Sequence, residues 1–554
     1  MSKLSIDPGS SVTNLTGSWR TQTPVMKNKW PPCGQTCPAS EDIQAWLALA
    51  SESQWQAAWR KLTARNPLPA VMGRVCYHPC ESACNRKHLD SAVNIHAMEY
   101  FLGEMALANG WQHQKLNDNE NNATGGKKIA VVGAGPAGLS CAYQLALRGY
   151  AVTIFDAAEE AGGTLWSGIP EYRLPKNILK QEIEAILKLG VTLVLNCTIG
   201  DIHGNAPHPH KRISTESLIT DYDAIFLGIG ALKPRLFQNS QYTDQHVLTG
   251  MDFLRRVNQG EELSLPKRVA VIGGGNTAID VARCLRRLDC DVTVVCAQDP
   301  HGAHLAHPGA EIPASELEVT QAQREGVEII YRTAVSRLVY SGKHLNGVET
   351  CRVDKIHDRH GNFNPVLFEG TETFIAANLV IFAIGQEVDW CGLERLIDSG
   401  LSKVFIGGDA AGNPRFAATA IGSGFENAMS IIDYLSGQKP YFDTHKKAEV
   451  TYKNLNLSYY AQSHRQTENA GEKENSGFVD TISLNESTAC KEALRCLSCG
   501  VCFYCDNCWH FCPDAAIIKQ ADNYTIDYDF CKGCGICAQE CPCGYIDMHT
   551  VLHE

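Results

Sequence analysis

The chain has 554 residues, 44% apolar and 20% charged, with a net charge of −12. That length exceeds one hydrophobic core and predicts roughly three or four domains of about 150 residues. The acidic balance argues against nucleic acid, which rewards basic patches, and no apolar run approaches the ~18–20 residues of a membrane span. The first residues lack the apolar stretch of a secretory signal, so a cytoplasmic location is expected. In that compartment the 24 cysteines point to metal chemistry rather than to disulfides.

Residues 1–30 are polar and predict an irregular arm. Residues 40–110 predict helices, opened by a capping-box-like Ser40 and continued by the periodicity of Asn94–Ala108. Five cysteines fall in this region, Cys33, Cys37, Cys76, Cys80 and Cys84. Thiolates at short, regular spacing with a proline after one of them suit a single [4Fe–4S] cluster drawn from the five; a structural zinc is the alternative. The spacing does not say which four bind. A helical iron–sulfur domain is expected over residues 1–125, closed by the polar stretch 117–126.

From residue 127 the pattern becomes strand, glycine turn, helix, strand, and it occurs twice, at 128–156 and 268–296. Each copy is a βαβ unit, so an α/β fold with two Rossmann-like, parallel, doubly wound domains is predicted. In the first turn Gly133, Gly135, Pro136, Ala137 and Gly138 leave room for a pyrophosphate at a helix N-terminus, and Asp156 ends the next strand, placed for a ribose hydroxyl. In the second turn the corresponding residues are Gly273, Gly275, Asn276, Thr277 and Ala278. Cys296 stands where Asp156 stands in the first copy, and neither Ala297 nor Gln298 is an arginine that would hold a 2′-phosphate. Asp299 is close enough to serve a ribose diol, so NADH is slightly favoured over NADPH. Arg283, Arg286 and Arg287 read as surface charges on the helix.

Two further apolar strands, 222–231 and 377–389, end in Ile-Gly turns, the second at Gly385. The segment 404–428 ends a strand at Gly408 and Asp409 and opens a small-residue helix. Asp409 can bond a flavin ribityl hydroxyl, with Thr419, Ala420 and Ile421 facing the isoalloxazine. None of the body cysteines 141, 197, 284, 290, 296, 351 and 391 pairs at the spacing of a redox dithiol, so electrons leaving a flavin need another exit. His301, His304 and His307 are spaced i, i+3, i+6, but their Gly/Pro-rich loop without a carboxylate pattern reads as an exposed insertion rather than a metal site. The expected boundaries are 126–249 and 393–440 for an FAD domain in two parts, 250–392 for the NAD(P)H domain and 441–485 for a linker or strap.

Twelve cysteines crowd into 490–543. Cys502, Cys505, Cys508 and Cys512 form one bacterial ferredoxin run, and Cys531, Cys534, Cys537 and Cys541 a second, each ending in Cys-Pro. In such modules the fourth cysteine of each run serves the other cluster. Residues 486–554 are therefore expected to hold two [4Fe–4S] clusters, one on Cys502, Cys505, Cys508 and Cys541, the other on Cys531, Cys534, Cys537 and Cys512. With the N-terminal cluster this makes three. Cys490, Cys496, Cys499 and Cys543 are surplus to that count. Cys496 and Cys499 keep the CxxC rhythm and read as buried thiols beside the cluster, the alternative being a docking surface.

The motifs "GAGPAG", "GGTLWSGIPEYRLPK" at 162–176, "GGGNTAIDVAR", "EIPASELEV" at 311–319, "AIGQEVD" and "GGD" together resemble the glutamate synthase small-subunit family, over about residues 130–430. The resemblance implies FAD at the first turn, with Gly163 and Arg173 among its contacts, and NAD(P)H at the second. It extends to the N-terminal cysteines, where "VNIHAMEYF" places Glu99 at the family's side-chain ligand position. The chain departs from the family in lacking an upstream CxxC, and in having Cys296-Ala297-Gln298 where the family commonly has Tyr-Arg-Arg. The resemblance implies a flavin-mediated NAD(P)H:acceptor oxidoreductase with no catalytic acid–base pair. Its electrons would go to or come from a ferredoxin, or a partner enzyme such as a sulfite reductase or a 2-oxoacid oxidoreductase, in a homodimer or hetero-oligomer. A glutamate synthase small subunit and a non-enzymatic electron-wiring adaptor are the alternatives.

Overall fold

In a computed structural model of the chain, the described residues are 15–116, 126–200, 211–235, 237, 246–302, 311–357, 359, 363–390, 392–398, 400–412, 415–437, 449–466 and 484–551. Two five-stranded parallel sheets form its body. The first has the order Val404–Ile406, Ala224–Leu227, Lys128–Val132, Ala151–Phe155, Thr192–Val194. The second runs Glu328–Ile330, Asp291–Val295, Arg268–Ile272, Leu379–Phe382, Val247–Thr249. Helices Pro136–Leu147 and Asn276–Arg287 follow their opening strands. Both opening strands are buried from their second residue on, as strands covered on both faces must be. Each opening strand has its sequence successor on one side and a later strand on the other, so both turns lie at a topological switch point, where α/β sheets bind ligands.

The chain leaves the first sheet, builds the second, and returns to the first through Val404–Ile406. The crossing comes before residue 247 rather than after 249, because the short edge strand Val247–Thr249 pairs with Leu379–Phe382, a partner only the tertiary structure supplies. An antiparallel sheet, Thr333–Ser341, His344–His357, Phe363–Leu367 and Thr373–Ala376, packs against the second domain.

Helices Pro32–Thr36, Ile43–Ser51, Trp55–Thr63, Pro69–Val75, Pro79–Ala83 and Ile95–Ala108 make the N-terminal domain. Ser40 does not cap the second helix; its φ is +54 and the N-cap is Asp42. The described part of the expected arm, residues 15–30, is not irregular either. Gln22–Met26 is a strand paired antiparallel with Ile546–Thr550, so this segment covers an edge of the C-terminal module. The described part of the linker, 449–466, is a strap. Val450 is fully buried and its carbonyl accepts from Asn85 at 2.8 Å, while Arg465 reaches Glu81 and Asn94, each at 2.8 Å. No described helix is long and apolar enough to cross a membrane.

Candidate functional site

The two glycine turns are built alike. Gly133 has φ +105 and Gly273 φ +138, a region closed to most side chains, and a Cβ on either would collide with a carbonyl of the neighbouring strand exit, Gly228 or Ala383. A Cβ on Gly138 would overlap the Gly133 carbonyl. The middle glycines differ: a Cβ on Gly135 meets nothing closer than 4.0 Å, and one on Gly275 meets nothing within 4 Å. Packing does not demand glycine there, whereas a phosphate lying on the backbone does. The cradle therefore fits a dinucleotide at both turns. Pro136 and Asn276 begin the helices; Ala137 and Ala278 are buried, while Thr277 is half-buried.

Asp156 accepts from the backbone N–H groups of Ala134 (2.6 Å) and Ala158 (2.8 Å), and burial pushes its carboxyl up. It fastens the turn and keeps further lone pairs for a ribose. The Gly162 N–H donates to the Ala134 carbonyl at 2.9 Å, laying Gly163 against Gly135. Across the sheet, Gly408 has φ +64 and its N–H donates to Ser423 Oγ at 2.9 Å; Asp409 follows it, half-buried. The helix Ala417–Ser436 begins beside it with Thr419, Ala420 and Ile421 in its first turn and a half. Gly385, φ +108, stands near Arg235 in the second domain.

Arg173 is committed elsewhere. Its guanidinium is buried, pairs with Asp280 at 2.8 Å and Glu318 at 3.1 Å, and donates to Tyr77 Oη at 3.2 Å. Asp280 belongs to the helix after the second turn, so Arg173 clamps the two dinucleotide domains and the N-terminal domain together. Arg283 is not a surface charge: it is 1% exposed and pairs with Glu318 and Glu325. A helical charge pattern does not reveal such a site, because its carboxylates come from residues 318 and 325 on another helix. Asp299 pairs with Arg332 at 3.1 Å, and one nitrogen of that guanidinium, Nη1, is buried without a hydrogen-bond partner. His301 Nε2 is 2.8 Å from the Ala314 carbonyl; His304 and His307 lie outside the described residues.

The five N-terminal cysteines do not gather around one point. Cys37, Cys76 and Cys80 line a cavity with Glu99, Glu41 and His78. Cys33 and Cys84 line another, with Cys496 and Cys499. The split follows from two short helices: Cys33 and Cys37 bracket one turn of Pro32–Thr36, and Cys80 and Cys84 bracket one turn of Pro79–Ala83, so each helix sends one thiol to each cavity. Expecting four of the five to share a site therefore needs correction. Glu99 is 3% exposed, accepts from Asn66 Nδ2 at 2.7 Å and meets His78 Nε2 at 2.6 Å; burial pushes its carboxyl up to about 8. Sequence reasoning missed Glu182, whose carboxylate accepts from Ala70 and Val71 N–H at the start of Pro69–Val75 and seats the N-terminal domain on the first dinucleotide domain.

In the C-terminal module the thiols gather crosswise, as the doubled motif predicts. Cys508 is pushed up to about 12 by burial and then by its neighbours Cys541, Cys502 and Cys505. Cys537 is pushed up to about 12 by burial and by Cys531, Cys534 and Cys512, and one cavity is lined by Cys512, Cys531, Cys534 and Cys537. Backbone N–H groups of Ala516 and Tyr545 donate to Cys512 and Cys541 Sγ, both at 3.3 Å. Cys543 is buried 3.8 Å from Cys541, and Cys490 Sγ donates to the Ser51 carbonyl at 3.2 Å. Among the described residues no three His, Cys, Asp or Glu side chains approach closely enough for one metal ion. Thiolates on a single zinc stand about 3.8 Å apart, given ~2.3 Å bonds, whereas a cubane holds them farther apart. The lining sets, four thiols or three thiols with Glu41, Glu99 and His78, are rich enough in sulfur to fit clusters.

The candidate dinucleotide site and the first thiol cavity meet. The first cavity is also lined by Ala418, the second residue of the helix beside the flavin cradle. Four residues on, a Cβ on Gly422 would overlap the carbonyl of Pro38, the neighbour of Cys37.

Residues 127–424 match the family model of the pyridine nucleotide-disulphide oxidoreductases, and residues 25–111 that of dihydropyrimidine dehydrogenase domain II, 4Fe-4S cluster. The NADP(+)-dependent formate dehydrogenase subunit beta of Moorella thermoacetica is 34% identical over 73% of this chain and 60% of its own length. The NADPH-Fe(3+) oxidoreductase subunit beta of Geobacter sulfurreducens is 32% identical, over 82% of this chain and 74% of its own. The glutamate synthase [NADPH] small chain of Escherichia coli is 29% identical over 73% and 89%.

Proposed function

We propose, for a chain that belongs to the pyridine nucleotide-disulphide oxidoreductase family, that it is an iron–sulfur flavoprotein moving electrons from NADPH through FAD to an iron–sulfur protein acceptor. The observation that carries this reading is the contact between the flavin cradle and the thiolate cavity, through Ala418 and through Gly422 against Pro38. The balance is one NADPH oxidised to NADP⁺ with release of a proton, and two acceptors each reduced by one electron. Bound FAD supplies the step from a hydride pair to single electrons, and bound [4Fe–4S] clusters carry one each.

The chain's own residues bind, orient and exclude water. Gly133 to Gly138 and Asp156 would hold the adenine-nucleotide half of FAD, and Asp409 and the helix start at Thr419–Ile421 its flavin half. Gly273 to Ala278 would hold the nicotinamide nucleotide, kept in register with the flavin by the Arg173–Asp280 clamp. Cys37, Cys76 and Cys80 with Glu99, and the two crosswise ferredoxin sets, would hold clusters. NADPH is favoured over the NADH expected from Cys296-Ala297-Gln298. Arg332, from the turn after the neighbouring strand, brings a guanidinium with an orphaned nitrogen to Asp299, and a 2′-phosphate would complete it. The relatives named above are named for NADP⁺ or NADPH.

The test is anaerobic purification with flavin, iron and sulfide quantified, followed by reduction of a viologen with NADPH or NADH and then of a bacterial ferredoxin. NADPH-driven viologen reduction is expected, and Arg332→Leu should raise KM for NADPH at least ~10-fold while sparing KM for NADH. Fully loaded protein that reduces no viologen with either nucleotide would leave only the adaptor reading.

A further inference from the structure

We propose that Cys33, Cys84, Cys496 and Cys499 hold a further [4Fe–4S] cluster, a fourth site whose ligands come half from the N-terminal domain and half from the segment leading into the ferredoxin module. The inference rests on the iron–sulfur reading above and names a ligand set that the spacing of the cysteines leaves unassigned.

Geometry carries it. The four thiols, from three separate stretches of chain, line a single cavity whose remaining wall is mainly Pro31, Pro32, Leu47, Val93 and Ile95. No carboxylate or imidazole lines it; Gln44, Asn85 and Arg86 are its polar lining residues, so the donor set for a metal is four sulfurs. Cys33 is pushed up by burial and then by Cys496, Cys84 and Cys499, so each of the other three thiols bears on it. Hydrogen-bond donors accompany the sulfurs: Asn85 Nδ2 lies 3.6 Å from Cys499 Sγ.

The Cys496–Cys499 loop has the backbone of the two ferredoxin CxxC loops. In Cys496–Gly500 the positive φ angles are Ser498, +49, and Gly500, +75. In Cys502–Asp506 they are Tyr504, +59, and Asp506, +66; in Cys531–Gly535 they are Gly533, +71, and Gly535, +79. In all three, the residue before the second cysteine and the residue after it turn left-handed. Serine, tyrosine and aspartate accept that strain only where the surroundings impose it. The N–H groups of Ser498, Tyr504 and Gly533 turn toward Cys496, Cys502 and Cys531, the first thiol of each loop. A loop shaped like two cluster-binding loops, facing two more thiols across an apolar cavity, is itself cluster-binding.

The segment is locked to the N-terminal domain. Arg495 is 2% exposed and donates to Glu492, Asp90, Ser91 and the Ala92 carbonyl. Arg86 Nη1 donates to the Arg495 carbonyl at 2.9 Å. The site also fills a gap. Cys33 shares a helical turn with Cys37 of the flavin-side site, the Gly500 N–H donates to the Cys543 carbonyl at 2.6 Å, and Cys502 is three residues beyond Cys499. A cofactor here would stand between the N-terminal site and the ferredoxin repeat.

The test compares the anaerobically purified full chain with the C496S/C499S double variant and, independently, Cys33→Ser, on a different stretch of chain. Iron, acid-labile sulfide, zinc and FAD per chain are measured, with EPR of the dithionite-reduced protein. Wild type should carry about sixteen irons. Each variant should lose about four irons and four sulfides and the same EPR component, with FAD retained as the check on folding. Twelve irons in wild type and no loss in either variant would overturn the proposal, as would zinc at the site or a signal lost from only one variant. Wild type lacking flavin or iron altogether would instead refute the broader reading.

Discussion

In the C-terminal module eight thiols between Cys502 and Cys541 gather into two groups of four, and the crossing between the runs stays within one small fold. At the N-terminal end five thiols are divided between two cavities, and neither cavity is completed by those five: one takes Glu99, the other Cys496 and Cys499. The difference is one of chain distance. A site made within one short stretch reads as a motif, whereas a site made between distant segments depends on the packing that joins them. The N-terminal sites should therefore be sensitive to changes in that packing, and the ferredoxin sites indifferent to it.

Cys508→Ser gives the largest separation. It should remove about four irons from the ferredoxin module and leave the EPR components of the N-terminal sites in place. Arg495→Met works from the other side. It leaves Glu492 buried without its cation, a cost of about 3–5 kcal/mol, and should release the Cys496–Cys499 segment from the N-terminal domain. Hydrogen exchange should rise in residues 84–95 and 492–499 but not in 524–550; uniform exchange across both ends would break the comparison.

Asn85→Ala is milder. It removes the donor to the buried Val450 carbonyl and to Cys499 Sγ, at about 1–2 kcal/mol, and should lower the midpoint of the first denaturant transition without changing iron content.

The smallest effect is a pH dependence confined to the N-terminal end. Burial against Trp59 and Tyr143 pushes His113 down to about 4. Its folded pKa lies below the ~6.5 of the unfolded chain, so the unfolded state takes up the proton first and stability falls as pH drops through 6.5 toward 4. Between pH 7.5 and 5.5 this histidine alone contributes a loss of about 1 kcal/mol, opposite in sign to the contribution of the buried Glu99 carboxyl at the same end. His113→Phe should remove that share, read as the difference between variant and wild type in the N-terminal transition at the two pH values.

Much of this molecule was legible in its sequence. Glycine turns after apolar strands are local signals, and both dinucleotide domains and their ligand cradles follow from them. So does the crosswise grouping of the ferredoxin thiols, because one repeated motif contains both runs. The Arg173 clamp was not legible, and Arg283 was misread as a surface charge, because their carboxylate partners Asp280, Glu318 and Glu325 lie on elements whose proximity no pattern encodes. The arm 15–30 reads as irregular because Gln22–Met26 is too short to be seen without Ile546–Thr550 beside it.

The amino-acid sequence by itself determined the kinds of cofactor this protein can hold, since residue type and local spacing set donor chemistry and turn geometry. Only the tertiary structure decided which thiols stand together. One helical turn sends Cys33 and Cys37 into different cavities, and the buried Arg495 network carries Cys496 and Cys499 across the fold to meet Cys33 and Cys84.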